Sequence, residues 1–143
     1  MSSPQPPGPF FIGTREGDIE DFAVEKTLGH AVSSMEVPEV KEGWYRLFDA
    51  DARCADLGWN ERRGWDVLIN GWSEPQPDEF KAAVTAYLLR LGEKPPGIEL
   101  DIGAFVSEVV PLLRRLDESR KPRWMRAIEQ GIRWVRRQPP ESI

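Results

Sequence analysis

Trp44-Tyr-Arg-Leu-Phe-Asp-Ala-Asp-Ala-Arg-Cys-Ala-Asp-Leu-Gly58 consists of two strand-forming runs around a turn. Trp44 to Phe48 is rich in aromatic and other strand-forming residues, Asp49 to Ala52 supplies turn chemistry, and Arg53 to Leu57 returns before Gly58. The pattern predicts a β-hairpin. Beyond the polar link Asn60-Glu-Arg-Arg-Gly64 comes Trp65-Asp-Val-Leu-Ile-Asn-Gly-Trp72, whose β-branched centre and bounding glycines predict a third antiparallel strand. Alternation sends Trp65 and Trp72 to opposite faces unless a bulge at Gly71 intervenes.

A three-stranded meander is not stable bare, so the rest of the chain must cover it. Phe80, Ala83, Val84, Tyr87, Leu88 and Leu91 recur at the spacing of one helix face. Pro77 suits the first turn, Asp78 and Glu79 suit the positive end of the dipole, and Gly92 suits the stop. Lys81 and Arg90 fall outside the apolar stripe and are expected at the surface. A second helix is expected from an Asp101 cap, with Phe105, Val106, Val109, Leu113 and Leu116 inward and Pro111 kinking or dividing it. A last helix is expected from about Pro122 to Gln138, carrying Trp124, Ile128, Ile132 and Val135.

Ahead of the hairpin, Asp18 can cap a helix bearing Ile19, Phe22, Ala23, Val24 and Leu28, with Gly29 as its stop. Residues 30–41 read as loop, because Pro38 removes a backbone donor and the serines and glutamates offer little to bury. Residues 1–9 hold four prolines and read as a disordered tail, with residues 10–143 forming a single domain. The expected fold class is α+β: a small antiparallel sheet of about three strands, covered by helices, with a helical C-terminal half.

Composition leans towards binding. Six tryptophans stand against one histidine and one cysteine. Trp is enriched at protein-protein hot spots, whereas much acid-base, nucleophilic and metal chemistry draws on His and Cys. No apolar run approaches the roughly 20 residues of a membrane span, and the N-terminus shows no secretory pattern, so a cytoplasmic protein is expected. The net charge of -5 is polarised: residues 16–56 hold eleven acidic and four basic residues, and residues 114–137 hold nine basic and three acidic ones.

Specific chemistry is hard to place. Asp49-Ala-Asp51 resembles the opening of a calcium loop, yet Arg53, Cys54 and Asn60 occupy positions that need a ligand, a glycine and a glutamate. No glycine-rich phosphate loop or nucleophile elbow is present. His30 lies too near Ser33 and Ser34 in sequence for a productive triad, and Cys54 reads as a small core residue. An Arg-rich C-terminal helix could follow a phosphate backbone, but a pI near 5.0 argues against a nucleic-acid partner.

These features predict a small acidic, non-enzymatic protein-binding protein without cofactor or metal. Its most concrete form is an immunity-type inhibitor that plugs the basic cleft of a toxin enzyme. An adaptor of a larger assembly, or a small enzyme or ligand binder using carboxylates and arginines, are the alternatives. The expected partner-binding rim comprises Asp49, Asp51, Asp56, Trp59 and Glu61, with negative charge arranged around an aromatic anchor.

Overall fold

The computed structural model describes residues 6–60 and 66–120. The chain is α+β, and among the described residues the antiparallel sheet has five strands rather than three, in the order β2-β1-β3-β4-β5. The predicted meander survives as its second half: β3 (Tyr45–Phe48), β4 (Arg53–Asn60) and β5 (Asp66–Pro75). The two additional strands come from the segment before it.

That segment corrects the expected helix over residues 18–28. Phe10–Glu16 forms β1 and Ile19–Glu25 forms β2, in register from Phe10↔Glu25 to Glu16↔Ile19. Only Gly17 and Asp18 remain for the turn. Gly17 has φ +64, the backbone that a glycine-first two-residue hairpin loop requires. Apolar residues at 19, 22, 23 and 24 fit a helical stripe, but pairing with β1, itself held by β3, draws them into the sheet edge as strand.

The expected loop over residues 30–41 is also corrected. It contains most of α1 (Leu28–Ser33) and all of α2 (Val37–Lys41). Thr27 caps α1 by accepting the His30 amide. Pro38 lies in the first turn of α2, where its missing donor goes unused. Helices this short are marginal alone, and these persist by burying Ala31, Met35, Val37 and Val40 against the sheet.

The sheet therefore carries a core on each face. On one lie α1 and α2 over Phe10, Ile12, Leu47 and Val67. On the other, α3 (Pro77–Arg90) and α4 (Ile102–Arg120) pack Phe80, Val84, Tyr87, Leu88, Phe105, Val109 and Leu113 against Phe11, Phe22 and Phe48. Helix α3 ends at Gly92, φ +77, with the Glu93 amide donating to the Leu88 carbonyl at 2.9 Å. Asp101 Oδ1 accepts the Ala104 amide at 2.8 Å as the predicted cap of α4. Pro111 does not divide α4, which runs through it as one element.

Lys81, expected outside, is buried. Its ammonium reaches across to the carbonyls of Ile98 and Leu100 and so ties the α3–α4 connection down. On the opposite sheet face, β5 carries a bulge: Asp56 pairs with Gly71 but Leu57 with Ile69, leaving Asn70 as the extra residue. The bulge turns Trp72 onto the face of Val67 and Ile69, where its ring centroid lies 6.1 Å from that of Phe10. Three strand spacings separate β1 from β5, about 14 Å in a flat sheet, so the sheet curls around this cluster. Trp65 and the expected helix from Pro122 lie outside the described residues, as do residues 1–5 of the expected tail.

Candidate interaction surface

Helix α2 fixes the local geometry because it is anchored by only two side chains. Val37 and Val40 face the core, which leaves Glu36, Lys41 and Glu42 exposed and Glu39 at the margin. Gly43, φ +76, ends the helix, and the Trp44 amide donates to the Glu39 carbonyl at 3.1 Å. The chain then passes directly into β3. Trp44 is left at the strand's start, 40% exposed, and its carbonyl accepts the Arg15 amide of β1 at 2.7 Å.

The two residues at the end of α2 each hold a tryptophan. Glu42 Oε2 accepts the Trp44 indole N–H at 3.1 Å. Lys41 Nζ lies 5.6 Å from the ring centroid of Trp59, within cation-π range. Trp59 sits near the end of β4, opposite Val67, and is 43% exposed. Two large aromatic surfaces thus flank one helix terminus. Tyr45 adds to the arrangement by donating its hydroxyl to Glu39. Burial, then the hydrogen bond and charge of Glu39, push the Tyr45 phenol up to about 12.

The structure does not gather the expected rim around Trp59. Asp49 is only 1% exposed; its Oδ1 accepts the amides of Asp51 and Arg53, both at 2.9 Å, and so clamps the β3–β4 turn. Burial raises its carboxyl above the usual Asp range, against the lowering effect of those two amides. Asp51 is exposed at the same turn. Trp59 lies six residues beyond Arg53, about 20 Å along the strand. Asp56 pairs with Gly71 and is exposed, on the face opposite to Leu57 and Trp59. Glu61 lies outside the described residues.

The acidic groups that do accompany the tryptophans are Glu36, Glu39 and Glu42. Reading the sequence for strands missed them, because α2 looked like loop and Trp44 looked like a strand former. A signal was present: Glu36, Glu39 and Glu42 recur every three residues around two buried valines and end at a glycine.

Ser33, Ser34 and Cys54 are occupied or shielded. Ser33 and Ser34 donate their hydroxyls to the carbonyls of Gly29 and Ala31, at 2.6 and 2.8 Å. Cys54 is half-buried, and burial raises its thiol above the ordinary range despite the opposing field of Arg46. Arg46 itself bridges Glu20 of β2 and Glu79 of α3, at 2.8 and 2.6 Å, a structural tie across the sheet edge. Among the described residues no group of three or more His, Cys, Asp or Glu side chains could hold a metal ion, and no helix is long and apolar enough to cross a membrane. Comparison with protein-family profiles, with curated proteins and with solved structures returns no match.

Proposed function

We propose that the protein is a binding module that receives a basic surface of another protein on Trp44, Trp59 and the glutamates of α2. The observation that carries this reading is the pair of exposed tryptophans held by the consecutive residues Lys41 and Glu42. Trp is enriched at binding hot spots, and a ring already held in place loses little conformational freedom on binding. Glu36, Glu39 and Glu42 around the aromatic pair would steer a positive partner and raise its association rate.

The most concrete form of this function is immunity-type inhibition, in which the acidic aromatic surface occludes the basic cleft of a toxin enzyme. Such a partner would be recovered by affinity capture from the native host and then measured by surface plasmon resonance. Trp44→Ala and Trp59→Ala should each speed dissociation by about 30-fold, the loss of roughly 2 kcal/mol typical of a hot spot. Charge reversal at Glu36 and Glu42 should slow association, and the effect should fade at high salt. Parental kinetics for both Trp variants would refute the surface. Slowed association in Asp51→Lys and Asp56→Lys alone would move it to the hairpin, and undiminished activity of a captured enzyme in the complex would refute inhibition.

A further inference from the structure

A groove of about 500 Å³ lies between the Gly8–Pro9 segment and α4, on the far side of the molecule's other core from α2. Its walls are Pro9, Val106, Val110 and Pro111, with Ser107 beside them and Lys26 and Arg114 at the rim. Val106, Val110 and Arg114 succeed one another at intervals of four, so the groove follows a single ridge of α4 and ends on its cation. The opposite wall is set closely. A Cβ at Gly8 would stand 2.2 Å from the Lys26 carbonyl oxygen, so only glycine lets this segment lie against the end of β2.

The charge of the rim does not follow the charge of the chain. The protein is net acidic, and several of its other cations are engaged: Arg46 with Glu20 and Glu79, Arg90 with Asp21, Arg115 with Glu93. Lys26 and Arg114 form no ion pair with a described residue. Glu25 precedes Lys26, but strand alternation directs it to the opposite sheet face from Val24, which packs on the α3–α4 side. Pro111 carries no amide hydrogen, so the Ser107 carbonyl receives no helical bond from it.

We propose that this groove binds an amphiphilic monocarboxylate, its hydrocarbon chain on Val106, Val110 and Pro111 and its carboxylate between Lys26 and Arg114. The volume falls within the range of small-molecule sites, and an apolar floor with a few convergent polar groups is their usual chemistry. Two cations without an ion pair among the described residues select an anionic head over a neutral or cationic one. The site is independent of the tryptophan surface, so neither stands or falls with the other.

Decanoate is the probe, titrated below its aggregation concentration into the full-length protein by isothermal calorimetry, with decanol and decyltrimethylammonium as head-group controls. Decanoate should bind at least about threefold more tightly than decanol, and Lys26→Ala and Arg114→Ala should each weaken it about threefold, the scale of an exposed ion pair. Both positions are exposed. The variants should therefore keep the parental unfolding midpoint. The double variant K26E/R114E should reverse the preference towards decyltrimethylammonium, a switch that damage to the fold would not produce. Equal affinity for decanoate and decanol, no binding at all, or unchanged decanoate affinity in the single variants would overturn the proposal. So would concentration-dependent dimerisation that Arg114→Ala abolishes in a protein that does not take up decanoate, because the groove would then serve a second copy of the chain.

Discussion

Replacing Asp49 by Ala should destabilise the protein by about 2 kcal/mol without touching any binding surface. Two amide donors, from Asp51 and Arg53, lose the carboxylate oxygen that accepts both at 2.9 Å. Hydrogen bonds to a charged acceptor are worth about 1.5–3 kcal/mol each, partly offset here because removing a buried carboxylate relieves its desolvation. The same turn holds Ala52 at φ +63, a left-handed conformation that costs a non-glycine residue about 1 kcal/mol and needs the clamp to persist. Urea unfolding followed by tryptophan fluorescence reads the change as a lower midpoint at constant slope. Asp49→Asn keeps an acceptor oxygen and should retain most of the stability at neutral pH. It should also expose the charge: the folded carboxyl is raised above its unfolded value, so the folded state holds the proton more tightly. Relative to the Asn variant, the parent gains stability that is complete below about pH 4 and lost as pH rises through the folded value. A loss under about 0.5 kcal/mol for Asp49→Ala, in the range of surface changes, would refute the clamp.

Leu88→Ala should cost about 2–5 kcal/mol in the same assay, because Leu88 is fully buried between α3, α4 and the sheet. Its neighbour Leu89, 59% exposed, should accept Ser within about 0.5 kcal/mol. In a spectrophotometric titration, one phenol should ionise only near 12, and that phase should vanish in Tyr45→Phe. The raised value means that Tyr45 favours folding below about pH 10 and that this contribution is lost as pH rises through 12.

What the sequence discloses depends on how far each element's partners lie along the chain. The β3–β4 hairpin, β5, α3 and the cap of α4 are legible because their signals are local: a turn between strand formers, a helical stripe, an aspartate before a helix. The segment over residues 18–28 is not. Its apolar spacing is compatible with a helix, and its strand character is fixed by pairing with β1, which in turn pairs with β3 about thirty residues on. Helices α1 and α2 are too short for periodicity to speak and exist only through burial. At the candidate surface, Trp59 could be picked out by the number of tryptophans that no single face could hold. Asp49 was legible as a turn former, but not as a buried clamp, since that depends on its carboxylate turning in onto the amides of Asp51 and Arg53. Trp44 and the glutamates of α2 became visible only once α2 was known to be a helix.

Strand β1 belongs to both cores at once. Phe10 and Ile12 enter one, Phe11 enters the other, and the strand lies between β2 and β3. Neither half of the molecule can open while the other stays closed, so the amides of β1 should exchange only through global unfolding. The order of synthesis adds a constraint. Of the described elements β1 is made first; one of its faces is covered by α1, α2, Leu47, Val67 and Trp72, yet its other face waits for Phe105, Val109 and Leu113 of α4. A nascent chain therefore displays Phe11, Phe22 and Phe48 until α4 arrives, and the fold becomes cooperative only once α4 can pack.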